Sequence, residues 1–499
     1  MQTIYENGAV VTMEAAPQAQ ALLTEDNIIL AVGTREEVRA AASSQAVSVD
    51  LQGGAVLPGL IEVYGRFSDC VMHFLQTSAE GADCFDEIIA LIRQFIDQRN
   101  LPKGHWVVVR DFDQNKVGSP DRSILDLAAP EHPVVLVYKS GFAGVFSSMA
   151  LERLGITLET HAPRGGRIEQ KRGRLTGYIE GQAFPFFFSQ IPPPSKGELL
   201  EACRMAQQHY ASQGFTTVQE VLLTEELAPL YQTLLSSGLL ELDLVAYADL
   251  SGCAGLLKQF QGYIQHKRNH FKIGGYGILP EETDHDSLAW GRPVQGDCDQ
   301  KFLNQIKKAA MSEMQLVAHC SNQESCGQYL TGLRLAEQEF PKLSALRPVL
   351  VWDRPPGGDW VPAVKELRAI PSFPIPSGKR TAGKDGAVNR ALEQGILFTL
   401  YQNQAKPDLS ETVWGGANRT IKAGGQPGRG NPPEGIWRAV TMNAAYQIFE
   451  EEQKGSLKPG KLADFVILEQ NPLEIDPMKM KKIRVLETVK EGKTVYRAT

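Results

Sequence analysis

The chain has 499 residues, of which 42% are hydrophobic and 22% charged, a composition typical of a globular protein with a sizeable core. Its net charge of −7 argues against nucleic acid as a partner. No apolar run reaches the roughly 18 residues of a membrane span, and no basic-then-apolar leader precedes the first strand-like segment. We therefore expect a cytoplasmic protein without membrane contact. The seven cysteines lack CxxC spacing, which predicts free thiols in a reducing compartment.

Hydrophobic periodicity predicts short strands at both ends of the chain and alternating strands and helices between them. Residues 3–12 and 28–33 have the pattern of hairpin strands, with turns at Asn7-Gly8 and at residues 25–27. Residues 465–468 and 485–496 form a similar pair of β-like runs, with Gly492 as a turn. The central strand-like runs are Thr216–Val221, Leu242–Ala248, Phe271–Tyr276, Gln315–His319, Pro348–Trp352 and Ile396–Tyr401. Residues 197–213 and 300–314 have helical spacing, so the middle of the chain predicts parallel βα units and a (β/α)8 TIM barrel.

Several motifs place the chain in a known superfamily. Residues 55–67 read AVLPGLIEVYGRF, residues 120–126 read PDRSILD, residues 175–183 read LTGYIEGQA, and residues 455–468 read GSLKPGKLADFVIL. Together they resemble the amidohydrolase superfamily, and within it the YtcJ-like branch of amidohydrolase family 3, which includes N-substituted formamide deformylase. The resemblance implies a composite β-sandwich built from residues 1–57 and 450–499. It also implies a barrel over residues 58–449, with an insertion at about 68–175.

The positions that bind metal in this superfamily are largely replaced. The first barrel strand resembles the pattern PG-[FL]-[IV]-D-x-H-x-H, but its aspartate is Glu62 and its two histidines are Tyr64 and Arg66. The resemblance places five further changed positions in the insertion and at strands four, six and eight, namely Phe142, Ser147, Tyr276, Trp352 and Gln402. Only Lys272 and His319 match the family's polar residues. A zinc site usually needs three or four N, S or O ligands, so we expect no bound metal or other cofactor.

A second set of polar residues stands where the metal site would be. Arg66 and Lys272 predict a positively charged pocket for a small, anionic molecule, or for an oxyanion that forms during a reaction. Tyr64, His319 and Glu180 are candidate proton carriers, and Phe142, Trp352 and Gln402 are candidate lining residues of the pocket. The alternative is that the aromatic side chains fill the vacated space and that Arg66 pairs with Glu62 or Glu180.

Three functions follow from these alternatives. The chain is a non-catalytic protein that binds a small molecule, a metal-independent enzyme that uses Arg66, Lys272 and His319, or a metal-dependent hydrolase of carbon–nitrogen bonds with rearranged ligands. The third function needs new ligands, for which the acidic segment Glu281–Asp286 is the visible source. Many members of the superfamily are homo-oligomers, which the resemblance extends to this chain as an expectation.

Overall fold

The computed structural model describes residues 1–279, 298–352, 360–375, 386–402, 406–409 and 433–499. The chain divides into two compact units. The first contains residues 1–69 and 203–499, and the second contains residues 70–202. The second unit begins close to the start of the predicted insertion and extends further along the chain than residue 175.

Eight parallel strands form the barrel of the first unit. In chain order they are Leu60–Ile61, Phe215–Leu223, Asp243–Asp249, Phe271–Ile278, Gln315–Cys320, Val349–Trp352, Ile370–Pro374 and Thr399–Tyr401. The sheet curls so that its first and last strands meet: the rings of Tyr64 and Tyr401 are 4.9 Å apart between centroids. The side chain of Gln447 connects the same two strands, because it donates to the Val63 carbonyl (3.4 Å) and accepts from Thr399 Oγ1 (2.8 Å).

The barrel interior is a packed core of inward-facing branched and aromatic residues, as the alternation of side chains along strands requires. Its buried members include Ile61, Val63, Val221, Val245, Tyr247, Val317, Val349, Val351, Ile370 and Tyr401. The helix Met442–Gln447 and the following turn contribute Ala444, Ala445 and Ile448 to the same cluster. This helix therefore closes one end of the barrel, the end at which Gln315 begins its strand and donates to the Gln447 carbonyl.

The two ends of the chain pair with each other in the sheets beside the barrel. One four-stranded sheet contains Gln2–Glu6, Ala21–Glu25, Ile28–Gly33 and Val47–Asp50. A six-stranded sheet contains Ala9–Val11, Gln18–Ala19, Ala55–Pro58, Phe465–Leu468, Val485–Lys490 and Lys493–Arg497. Phe465–Leu468 pairs antiparallel with both Ala55–Pro58 and Val485–Lys490. The predicted hairpin at Asn7-Gly8 is wrong, because the strands on either side of this turn belong to different sheets.

The second unit has its own mixed sheet and its own core. Its strands are Thr77–Ser78, Val107–Phe112, Val134–Tyr138, Ala143–Phe146, Gly166–Lys171 and Arg174–Gly181. Apolar residues of these strands are buried on both faces of the sheet, in two separate clusters.

Helices flank the strands throughout the described part of the chain. They are Arg35–Ala41, Phe67–Leu75, Phe85–Arg99, Gln114–Val117, Arg122–Ala128, Ser148–Arg153, Ala183–Phe188, Lys196–Ser212, Ala228–Ser237, Cys253–Gln259, Gln300–Met311, Gln323–Glu339, Val361–Glu366, Ala387–Glu393, Pro433–Ala439 and Met442–Gln447. Short 3₁₀ helices lie at Gln261–Tyr263, Leu343–Leu346 and Pro477–Lys482. None of the helices within the described ranges combines the length and apolarity needed to cross a bilayer.

Candidate functional site

The carboxyl ends of the barrel strands bring Tyr64 and His319 together. This is the end at which TIM barrels carry their active sites. The Tyr64 hydroxyl is hydrogen-bonded to His319 Nδ1, and the two ring centroids are 5.2 Å apart. Tyr64 also packs edge-on against Tyr401, which the sequence did not single out. The residue at the first histidine position of the family therefore contacts the surviving histidine directly.

Glu62 lies beneath this pair as a fully buried carboxyl. It accepts hydrogen bonds from the backbone N–H groups of Tyr64 (3.3 Å) and Gln402. Burial nevertheless raises the pKa of Glu62 to about 8, so the group is protonated and neutral at pH 7. A neutral carboxylic acid is a poor metal ligand and a poor general base at this pH.

Gln402 holds the chain that follows the eighth strand. Its side-chain oxygen accepts from the Asp408 N–H (2.8 Å), and its amide nitrogen donates to the Asp408 carbonyl (2.5 Å). Gln402 is itself buried. Its side chain therefore binds the backbone of Asp408, and its own backbone N–H contacts Glu62.

Arg66 follows the first strand and keeps much of its cationic group accessible. Its backbone forms an isolated bridge with Glu220, and its side chain is 41% exposed. Its ion pair is with Asp69, at 3.8 Å between Nη1 and Oδ2, while its Nε has no hydrogen-bond partner among the described residues. Among the described residues of the first unit, Arg66 therefore pairs with Asp69 and not with Glu62.

Lys272 lies at the opposite end of the barrel from His319. It is the second residue of the fourth strand, and Ile278, six residues further on, pairs with Ala318 of the fifth strand. At about 3.3 Å per residue, Lys272 and His319 lie about 20 Å apart along the strands. The ammonium of Lys272 contacts Glu450 Oε1 at 2.5 Å and donates to the Ile448 carbonyl at 2.8 Å. The predicted positive pocket of Arg66 and Lys272 is therefore not formed.

A buried group of charges, here called the basal cluster, surrounds this end of the barrel. It contains Asp243, Lys272, Glu450, Lys454, Asp464 and Lys490, each at most 6% exposed. Lys454 is central, because it contacts Asp243, Glu450 (3.0 Å) and Asp464 (3.7 Å) and donates to Thr217 Oγ1 (2.9 Å). Burial alone would raise the pKa of Asp243, but the ammonium groups of Lys454 and Lys490 hold that pKa well below its ordinary value.

One potential metal-binding group lies beside the basal cluster. Asp243, His270 and Glu491 place ligand atoms within 4.8 Å of one another. His270 Nδ1 is 2.9 Å from Asp243, but Lys454 and Lys267 (2.9 Å) share the other oxygen of that carboxylate. Lys490 contacts Glu491 at 2.6 Å. Lysine ammonium groups thus already neutralise both carboxylates and would repel a divalent cation, so these residues do not fit a metal site.

Trp352 faces away from the barrel interior. Its neighbour Val351 belongs to the interior cluster, and alternate residues of a strand point to opposite faces. Trp352 instead packs against Trp360 and Phe373, at 5.2 Å between ring centroids in each case. Its predicted role in lining the pocket is not supported by this position. The next residue, Asp353, and the acidic segment Glu281–Asp286 lie outside the described residues.

Two of the predicted site residues belong to the second unit. Glu180 accepts from Arg167 Nε (2.5 Å) and from the Tyr178 hydroxyl (2.6 Å), and these hydrogen bonds hold the pKa of Glu180 below its usual range. Phe142 lies in the turn between two strands and is 68% exposed. Within this unit Glu180 is therefore committed to a surface network, and Phe142 does not fill a core.

The eight-stranded barrel and its composite sheets define the first unit as a TIM barrel with two further β-sheets. Comparison with known proteins identifies the family. The profile described as "Amidohydrolase family" matches residues 48–496, so the chain belongs to the amidohydrolase family. N-substituted formamide deformylase from Arthrobacter pascens is 23% identical over 537 residues, covering 99% of this chain and 98% of the relative. The YtcJ protein of Bacillus subtilis is also 23% identical, over 99% of each chain.

Solved structures with the same fold include hydrolases that contain metal. A metal-dependent hydrolase from Pyrococcus furiosus has a TM-score of 0.70 at 16% identity, with 95% of this chain and 100% of that chain covered. Atrazine chlorohydrolase from Arthrobacter aurescens, solved with zinc, has a TM-score of 0.54 at 13% identity, with 99% and 95% covered. At these identities the likeness supports the fold assignment alone.

Proposed function

We propose that this chain is a metal-free member of the amidohydrolase family that binds a small molecule at the barrel mouth without hydrolysing it. One observation carries the proposal: the Tyr64 hydroxyl is hydrogen-bonded to His319 Nδ1. Two donor atoms that bind one tetrahedral zinc ion at about 2 Å lie about 3.3 Å apart, further than a hydrogen-bonded hydroxyl oxygen and imidazole nitrogen. The direct hydrogen bond also engages the Nδ1 atom of His319, so it supports a site in which no ion lies between these two side chains.

The remaining groups at the mouth support the same conclusion. Glu62 is neutral at pH 7, Gln402 supports a loop, and Lys272 is at the other end of the barrel. His319 is therefore the one surviving family ligand among the described residues of the mouth. One imidazole is too few for the three or four ligands that zinc requires, and activation of a water molecule by metal needs the bound ion.

Metal content tests this proposal directly. We expect purified protein, dialysed against a mild chelator, to contain far less than one zinc, iron, manganese or nickel ion per chain. Tyr64→His places a second imidazole beside His319 and is expected to raise the zinc content after reconstitution. Tyr64→Phe is the matched control, because it removes the hydroxyl without adding a ligand.

The competing function is a metal-dependent hydrolase with ligands from Glu281–Asp286. It is favoured by family membership and by the acidic and histidine residues of that segment. Near-stoichiometric metal in the wild type, together with formate release from an N-substituted formamide, would establish this function and overturn the proposal. Metal-free protein that releases no formate agrees with the binding role.

The ligand at the mouth is expected to be anionic, because the one ion pair of the accessible Arg66 guanidinium among the described residues is a 3.8 Å contact with the exposed carboxylate of Asp69. In thermal-shift titrations with phosphate and with succinate, Arg66→Ala is expected to weaken binding at least about tenfold. Arg484→Ala, which removes another exposed guanidinium, should leave the titration unchanged. Equal titration curves for wild type and Arg66→Ala would show that Arg66 does not bind an anionic ligand.

A further inference from the structure

A cleft of about 720 Å³ opens at the end of the barrel opposite the mouth. It begins near the starts of the fourth and fifth strands, at Lys272 and Gln315, and extends outward to the segment 339–346 and to the turn at 448–449. The barrel core, with Val317 and Val351, separates it from the Tyr64–His319 pair. The cleft is therefore distinct from the site at the mouth.

The walls of this basal cleft are mainly apolar. They include Phe340, Leu343, Leu346, Ile448 and Phe449. Phe449 is 45% exposed, and the guanidinium carbon of Arg347 lies 4.2 Å from its ring centroid. Pockets for small molecules typically have volumes of about 300–1,000 Å³, apolar walls and a few polar groups that fix orientation. The basal cleft matches this description in size and in lining.

The two buried polar side chains at its base differ in what they offer a ligand. Gln315 has no N–H group left to donate: its nitrogen donates to the carbonyls of Arg347 and Gln447 (2.8 Å each), while its oxygen accepts from the Tyr247 hydroxyl (2.7 Å). Lys272 has three N–H groups, and the described residues supply two acceptors, Glu450 and the Ile448 carbonyl. One ammonium N–H thus remains to be satisfied at the base of the cleft.

The rim of the cleft carries charges of both signs. Glu313, Glu339 and Lys342 line it, and Glu339 also pairs with Lys307. Because Lys307 and Lys342 offset the charges of Glu313 and Glu339, the rim has little net charge and does not select strongly for the charge of a ligand. The Lys272–Glu450 ion pair at the base of the cleft also has no net charge. The cleft therefore favours a ligand that has a large apolar part and one hydrogen-bond acceptor.

We infer that the basal cleft binds a small, largely apolar molecule through a carbonyl or carboxylate oxygen that accepts a hydrogen bond from Lys272. The apolar part of the molecule packs against Phe340, Leu346 and Phe449. This gives Lys272 a binding role at the base of the barrel in place of the catalytic role that its sequence motif predicted. The inference does not depend on the proposed function at the mouth.

Isothermal titration of the full chain with octanamide and with octanoate tests this inference. Both probes carry an apolar chain and an acceptor oxygen, and they differ in charge. We expect saturable binding of each, whereas octylammonium, which has no acceptor, should not bind. Lys272→Met is expected to weaken binding about tenfold, because it removes a charged hydrogen-bond donor.

A second variant, which fills the cleft with a larger side chain, tests the inference even if Lys272→Met does not fold. Ala345 is exposed on the cleft wall, so Ala345→Trp fills the cleft from outside the core and should abolish binding. Ala254→Trp, at an exposed alanine away from the cleft, and Tyr64→Phe, at the mouth, should bind the probes as wild type does. The inference is overturned by an absence of saturable binding, by equal binding of octylammonium, or by unchanged binding in Ala345→Trp.

Discussion

Replacing Lys454 by methionine is expected to lower the free energy of unfolding by about 3–5 kcal/mol, the range seen when one partner of a buried ion pair is removed. The Lys454 side chain is 1% exposed and contacts three buried carboxylates. Methionine has a similar length but no charge, so Asp243, Glu450 and Asp464 would keep their negative charges with one cation fewer. The cost of leaving these charges uncompensated inside the protein outweighs the gain from burying an apolar side chain.

Urea unfolding monitored by tryptophan fluorescence measures this effect, because every tryptophan except Trp106 belongs to the first unit. Arg334→Met is the control, since Arg334 pairs with Glu366 on the surface and both side chains are about half exposed. This exposed pair should contribute less than about 1 kcal/mol. Equal unfolding midpoints for Lys454→Met and Arg334→Met would show that the basal cluster does not stabilise the fold.

The basal cluster should also make the protein sensitive to acid. Burial raises the pKa of Glu450, but Lys454 and Lys272 outweigh it and lower that pKa to about 2, from an ordinary value of 4.5. A carboxyl with a depressed pKa stabilises the folded state above its unfolded-state pKa and loses that contribution as the pH falls. The stability of the wild type should therefore decline between about pH 4.5 and pH 2, and less steeply in Lys454→Met.

Glu62 is expected to lower the stability of the wild type at high pH, and replacing it by glutamine should remove this effect. Burial raises the pKa of Glu62 to about 8, so between pH 4.5 and 8 the folded chain holds a proton that the unfolded chain has released. Stability therefore falls as the pH rises through this window, and the contribution is lost above pH 8. Glutamine can accept from the same backbone N–H groups and does not ionise. Relative to wild type, the variant should gain on the order of 4 kcal/mol between pH 5 and pH 9.

The comparison across pH separates this effect from any packing defect that the substitution introduces. A packing defect shifts the stability of the variant equally at both pH values, whereas ionisation of residue 62 changes the difference between them. Glu452→Gln, at an exposed glutamate, is the control and should follow the wild-type pH profile. Parallel profiles for wild type and Glu62→Gln would mean that Glu62 ionises as an ordinary surface carboxyl does.

Much of the fold can be predicted from the sequence, because buried strands leave continuous apolar runs. The runs at 216–221, 242–248 and 315–319 correspond to barrel strands with ends within two residues. The seventh strand, Ile370–Pro374, was missed, since its sequence IPSFP contains two prolines that usually mark a turn. The turn at Asn7-Gly8 also gave no sign that its two flanking strands join different sheets.

The site was harder to predict, because a sequence motif identifies a residue of a barrel strand but does not show at which end of the barrel its side chain lies. Lys272 occupies its place in the family motif, yet it lies at the start of the fourth strand and faces Glu450, a residue 178 positions away in sequence. Trp352 was aligned to within one residue, and in a strand a shift of one residue exchanges the inner and outer faces. By contrast, Tyr64 and His319 were predicted as site residues on two different strands, and the structure places them in contact.

The pairing of the two chain ends has a consequence for biosynthesis. Phe465–Leu468 supplies the strand between Ala55–Pro58 and Val485–Lys490, and the same C-terminal segment brings Asp464 and Lys490 into the basal cluster. A ribosome makes residues 55–58 about four hundred residues before their partner strand. During that interval the nascent chain carries an unpaired strand edge, and from residue 243 onward it also carries an Asp243 that lacks Lys454 and Lys490. The first unit can therefore be completed only after residue 490 has been made.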